Sequence, residues 1–256
     1  MALYQTRVEP KPSAPSIDAV EHALRRLYIA PSDEPGRALR DEDRKKVREV
    51  TAVLEEVARI GRRRVVVEAA SGHAYAGLLA AQLCPGIEAL TLIEREPDRV
   101  AHARAAAERL GLIADVKEGD VDDAALWPEE PDLVIGLHAC GPASDAIVEM
   151  AIAKEARWLL LVPCCYAKTV AFSASAEARA EAIGIPRQAP IRRAFIEALI
   201  DAERTLRLEA AGYEVTVREL VPRSVSGHNL LWRCRKSGEA GRMAAARAQL
   251  GRLSEQ

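Results

Sequence analysis

From residue 64 onward the chain alternates two patterns, short and nearly continuous apolar runs and longer stretches in which alanine and leucine recur at helical spacing. The runs are RVVVEA (64–69), ALTLIE (89–94), IADVKE (113–118), DLVIGLH (132–138) and RWLLLVP (157–163). Helices are predicted between them over 75–83, 97–110 and 143–154, with a short, poorly marked segment near 122–127. Strands without polar alternation, joined by helices, imply a parallel sheet covered on both faces, with right-handed crossovers. The last third breaks the alternation. A helix over 190–211 runs through Gly212 into YEVTVRELV (213–221), and PRSVSG then turns the chain into HNLLWRC (228–234). Two strands so close in sequence must pair as a hairpin, because a parallel pair needs a crossover of a dozen residues or more. The expected fold is α/β, a Rossmann-like doubly wound sheet of seven strands, five parallel plus a C-terminal antiparallel hairpin.

Ahead of the sheet, Ile17, Val20, Leu24 and Leu27 form one helical stripe, PSDEPG (31–36) breaks the chain, and 41–60 gives a second helix stopped by Gly61. The expected division is a disordered tail over 1–15, rich in proline; a helical extension over 16–61; the sheet domain over 62–236; and a tail or short helix over 237–256, with Met243, Leu250 and Leu253 on one side.

Composition narrows the function classes. With 256 residues, 49% of them hydrophobic, the chain buries a substantial core. Its net charge of -2 argues against a long sequence-independent contact with nucleic acid, while allowing a local basic patch. Arginine outnumbers lysine 29 to 7, which in so alanine-rich a chain reads as genome composition rather than phosphate recognition. Arg192, Arg193, Arg204 and Arg207 on the late helix are accordingly expected as a solvated face. No apolar segment has the length of a signal core or a bilayer span, so the expectation is a soluble, cytoplasmic protein with no membrane partner. Five cysteines, odd in number and without framework spacing, are expected as thiols.

Candidate chemistry gathers at the strand ends. VVVEAASGHAYAGLLAA sets a strand, Glu68, a loop of small residues and a helix start in succession; such loops let backbone approach a ligand while the helix end offers free N–H groups. As a dinucleotide fingerprint it is poor, since Ala70 and Ala74 stand where glycines are expected and only Gly72 remains. Glu94 ends the second strand, where a carboxylate accepts both hydroxyls of a ribose, and Asp120 follows the third, within reach of an adenine amine. Together these acids describe a nucleoside pocket across three strands; each alone reads as a turn acid or helix cap.

The fourth and fifth strands end in LHACG and PCCY. Doubly wound topology brings their carboxyl ends to the Gly72 loop, so His138, Cys140, Cys164, Cys165 and Tyr166 converge on one rim. Several readings compete there: cysteines as small hydrophobes, accepted for Cys84 and Cys234; a His/Cys metal set; nucleophilic cysteine chemistry; and a rim that shapes a substrate, the reading preferred. The metal reading fits badly, because the glutamate and the spacing of the zinc deaminases are absent and adjacent cysteines rarely chelate one tetrahedral ion. No metal is expected.

These residues resemble a known family. LHACG (137–141) and PCCY (163–166), behind an E-x-x-S-G loop and ahead of a C-terminal hairpin, are similar to class I S-adenosylmethionine-dependent methyltransferases. The closer likeness is to the group with L-H-x-C-G and C-C-Y signatures, which includes tRNA ribose 2′-O-methyltransferases; it covers residues 40–235. The resemblance implies S-adenosyl-L-methionine as cofactor, an unidentified acceptor with RNA among the candidates, and a methionine side shaped by Glu68, Ser71 and Gly72. It sets Glu94 on the ribose, Asp120 by the adenine, His138 and Cys140 along the passage to the acceptor, and Cys164, Cys165 and Tyr166 on the other wall. A hydroxyl acceptor would benefit from a base, for which His138 is the candidate; a histidine bonded to backbone is the alternative. Tyr166 either orients the acceptor or packs. Two rival functions stay open, a non-catalytic module that binds the same cofactor and an NAD-dependent oxidoreductase, the latter disfavoured by the hairpin and the missing glycines.

Overall fold

A computed structural model describes residues 14–29, 39–166, 168–227 and 229–254. The 31–36 break, residues 1–13 of the expected tail, Ala167 and His228 lie outside them.

Seven strands form one sheet: β1 (Val65–Ala69), β2 (Ala89–Glu94), β3 (Asp115–Glu118), β4 (Leu133–Ala139), β5 (Trp158–Pro163), β6 (Tyr213–Glu219) and β7 (Leu230–Lys236). Their order is β3-β2-β1-β4-β5-β7-β6. The first five are parallel, and β7 runs antiparallel to both neighbours, β5 and β6. The expected fold class is therefore met, with β7 inserted between the parallel set and its own hairpin partner. The strand order reverses at β1, which lies between β2 and β4 in register Val67↔Thr91 and Val67↔Val134. Such a reversal opens a crevice at the carboxyl ends of the strands.

The crossovers are α3 (Tyr75–Leu83), α4 (Pro97–Leu110) and α5 (Pro142–Ala153), with a 3₁₀ turn at Ala124–Leu126; α1 (Ile17–Leu24) and α2 (Asp41–Arg59) precede them. Local chemistry sets their ends. Ser16 accepts from the Ala19 N–H at 3.2 Å, Pro97 starts α4, and Gly111 closes α4 in the left-handed region at φ 66°. One face of the sheet is covered by α1, α2 and α3 through Val20, Leu24, Val47, Leu54, Leu78 and Leu79; the other buries Ile147 and Val148 of α5 together with Tyr213 and Trp232. Glu56, 1% exposed, further ties α2 to the sheet through an ion pair with Arg233 of β7 at 3.1 Å.

Two helices differ from expectation. α6 (Ser173–Ala182) was not predicted, because SASAEARAEA offers no apolar stripe; only Ala176 and Ala180 are its buried apolar residues. The final segment is a full helix, α8 (Ala240–Ser254), packed on α7 (Ala189–Ala210). The arginines of α7 are not simply a solvated face. Arg192 pairs with Glu177 and Glu181, Arg207 with Asp145 at 2.9 Å, and Arg204 is fully buried against Asp201 at 3.1 Å.

Candidate active site

The floor of the site is the loop from β1 to α3. Ala70, Gly72 and Ala74 all take left-handed backbone, at φ 53°, 57° and 55°. Glycine does this freely, whereas an alanine gives up roughly 1–2 kcal/mol. The loop thus adopts a glycine-type conformation with two methyl groups on it. What holds it there is visible in its N–H groups. Ser71 N–H donates to the Ile93 carbonyl at 3.0 Å, and Gly72 N–H donates to Oε2 of Glu94 at 2.6 Å. The other oxygen of Glu94 accepts from the Arg95 and Glu96 N–H groups, both at 3.0 Å, so one buried carboxylate fastens the first loop to the second.

Glu68 lies beneath this loop and is 2% exposed. Its Oε2 accepts from the Gly77 N–H at 2.7 Å in the first turn of α3. Burial pushes its pKa up to about 8 against the opposing pull of the Gly77 and Ala76 N–H groups, with the charge on Glu94 adding to the rise. Gly77 is there because nothing larger fits, since an added Cβ would stand 2.6 Å from that oxygen and 2.8 Å from Leu92. Ser71 is also buried, and its hydroxyl has no hydrogen-bond partner.

The rim is built differently. At the end of β4 the register slips between Leu137 and Ala139, and His138 takes φ 58°. Its Nε2 lies 3.1 Å from Oε2 of Glu49, a residue of α2 that is 6% exposed. Lys46 reaches the same carboxylate at 2.9 Å. Burial alone would raise the Glu49 pKa, but the hydrogen bond from His138 and the Lys46 charge bring it down to about 2.

Beside His138, Cys140 and Cys164 are joined by a disulfide, with Cα atoms 5.5 Å apart. This corrects the expectation of five thiols: β4 and β5 are neighbours, and the two residues just past their paired ends face each other across the ladder. Cys165 keeps its thiol sulfur, which accepts from the Gly141 N–H at 3.1 Å. The three sulfurs lie within 4.8 Å of one another, two of them already committed to a covalent bond. Tyr166 turns away from the rim. Its hydroxyl donates to Asp201 of α7, 2.8 Å from Oδ1, and burial raises the Asp201 pKa to about 6. It borders a separate hollow of 140 Å³ with Glu197, Arg223 and Asn229.

Between floor and rim opens a cleft of 430 Å³. Of the residues singled out from the sequence, Glu94, Asp120, His138 and Cys140 line it. Glu68, Ser71 and Gly72 lie under or behind its floor, Cys164 and Cys165 behind the Cys140 wall, and Tyr166 at the other hollow. Sequence reasoning missed Arg95, Arg99, Pro142, Ala143 and Ala146 among the lining residues. The Gly141-Pro142 pair at a helix start was the signal for the last three. Nothing local in the sequence pointed to Glu49.

Residues 44–171, half of the chain, match a family described as a methyltransferase domain. The chain belongs to this methyltransferase-domain family. Among curated relatives, the glutathione S-transferase C-terminal domain-containing protein of Homo sapiens is 25% identical over 194 residues, 64% of this chain and 29% of its own length. The counterpart in Mus musculus is 23% identical over 194 residues, 64% of this chain and 28% of its own length. The chain therefore spans less than a third of the length of the curated relatives it matches. Among solved structures, magnesium protoporphyrin IX methyltransferase from Synechocystis PCC 6803, with bound SAH, covers 84% of this chain and 94% of its own, at 15% identity and TM-score 0.50. That likeness is one of fold. It sets the seven-stranded sheet of this methyltransferase-family chain among known methyltransferase architectures. No helix among the described residues is long and apolar enough to cross a membrane.

Proposed function

We propose that this chain is an S-adenosyl-L-methionine-dependent methyltransferase whose cofactor lies in the 430 Å³ cleft at the strand-order reversal. One observation carries the reading: in a methyltransferase-family chain, the cleft at the carboxyl ends of β1, β2 and β4 is lined by Glu94, Asp120 and His138 together. Its volume suits a nucleoside-bearing ligand. The buried, unpartnered hydroxyl of Ser71 is a second point of fit, since a polar atom in that state is normally satisfied by something.

In this reading Glu94 holds the ribose. It already accepts three backbone N–H groups, and an ionised carboxylate has about four acceptor sites, so capacity remains for a hydroxyl. Asp120 lies by the adenine, and Ser71 and Gly72, supported from below by Glu68, shape the methionine side. When bound, the cofactor supplies an electrophilic methyl group on a sulfonium. The protein's work is then alignment, with His138 and Cys140 along the passage to the acceptor. The Cys140–Cys164 disulfide, backed by Cys165, stiffens that wall, while Tyr166, held by Asp201, stands at the separate hollow. RNA is one acceptor to be tried; of the four arginines named on α7, Arg192, Arg204 and Arg207 are already paired with carboxylates, which leaves Arg193 as the exposed one.

The reading is tested by titrating the protein calorimetrically with S-adenosylmethionine and with NAD, and by following radiolabelled methyl transfer into fractionated RNA, protein and metabolite pools. The expected result is one site for S-adenosylmethionine, weakened by about tenfold or more when Ala143→Trp fills the cleft. Preferential NAD binding, or equal binding by both proteins, would overturn it. Cofactor binding without transfer to any pool would favour the non-catalytic module.

A further inference from the structure

We infer that Glu49, supplied by the helix ahead of the sheet, is a positioning residue that fixes which nitrogen of His138 faces the acceptor. The inference rests on the methyltransferase reading and deepens it, because it names the kind of acceptor the site is built for. The geometry has three parts. Nε2 of His138 lies 3.1 Å from Oε2 of Glu49, and because a carboxylate only accepts, the ring proton is assigned to this nitrogen. Lys46 holds the same carboxylate oxygen at 2.9 Å, and the Glu49 side chain is only 8% exposed, so it has little freedom to swing away. The helix that carries it is itself fixed, through Val47, Val50 and Leu54 in the core and Glu56 on Arg233.

His138 meanwhile occupies a left-handed backbone position at a slip in the β4 register, on the wall of the cleft. A non-glycine residue kept there is costly, and such outliers persist where the surroundings over-determine them. With Nε2 turned to Glu49, Nδ1 is the nitrogen left for the acceptor. The arrangement suits an acceptor that must lose a proton, a hydroxyl above all. The acceptor oxygen forms a bond to the methyl carbon as the carbon–sulfur bond breaks, with its electron pair left on sulfur. The acceptor's proton goes to Nδ1. An orienting carboxylate on the far nitrogen is a recurrent way of fixing a histidine tautomer.

A structural ion pair between α2 and β4 would look the same in a stability measurement, so the test uses other readouts. In ¹⁵N-labelled protein, with the ring signals assigned by His138→Gln, we expect a hydrogen-bonded ring proton downfield of the amides, correlated with Nε2. We expect it to persist in Glu49→Gln, which keeps an acceptor oxygen, and to disappear in Glu49→Leu. Methyl transfer to a hydroxyl acceptor should fall in Glu49→Leu by about 10- to 100-fold in kcat with KM for S-adenosylmethionine unchanged, and Glu49→Gln should recover most of it. A ring proton found on Nδ1 in the wild type would overturn the inference, as would a Glu49→Leu protein that folds and retains both the signal and kcat. Failure of the methyltransferase reading would appear elsewhere, as no S-adenosylmethionine binding to the wild type, a measurement that does not involve Glu49.

Discussion

Two glutamates are buried beside the same cleft and carry opposite charge preferences. Glu68, under the floor, sees backbone N–H groups and the nearby charge of Glu94, and burial pushes its pKa up to about 8. Glu49, behind the rim, is nearly as buried, yet His138 and Lys46 hold it near 2. The lesson is that burial sets how much is at stake and the partner sets the sign. A floor that is neutral near pH 7 asks for tight packing, whereas a rim that is charged can orient a titratable neighbour.

The largest expected effect tests this contrast directly. For Glu68 the folded-state pKa is raised, so its contribution to stability is fully present below the usual carboxylate range and lost as pH rises through about 8. For Glu49 it is depressed, so the contribution is present above that range and lost as pH falls toward 2. Urea denaturation across pH should show Glu68→Gln removing a decline of up to roughly 1.4 kcal/mol per pH unit between pH 5 and 8. Glu49→Gln should instead flatten the acid limb. The same slope change in both variants would mean that the partners do not distinguish the two sites. Next in size is Gly77→Ala, which drives a methyl group into Glu68 and Leu92 and should cost about 1–3 kcal/mol, read from the denaturation midpoint. The smallest is Ala74→Gly. Relief of its left-handed backbone is set against a freer unfolded chain and the loss of a buried methyl group, for a net change within about 1 kcal/mol, and a loss larger than that would mean that the packing of the methyl outweighs the strain.

The floor was more legible in the sequence than the rim. Apolar runs without alternation can hardly be anything but buried parallel strands, and the predicted helices over 75–83 and 97–110 match α3 and α4. Strand ends therefore placed Glu94 and Asp120, because the polypeptide itself carries an acid from the end of a strand to the edge of the sheet. The rim depends on contacts between distant segments. Tyr166 follows Cys165 directly, yet the Asp201 carboxylate draws it toward α7, and no spacing announces that. Glu49 reads as one more charge on a helix until α2 is packed against β4. The cysteine composition pointed to thiols, and only the pairing of β4 with β5 brings Cys140 and Cys164 face to face.

The placement of α2 has a practical corollary for anyone shortening this chain. A truncation beginning at β1 would retain every strand, but it would strip α1 and α2 from one side of the sheet, leaving α3 there, and leave the imidazole at the end of β4 without its anchor. The seven strands would remain as a scaffold, with the instrument mounted on them out of adjustment.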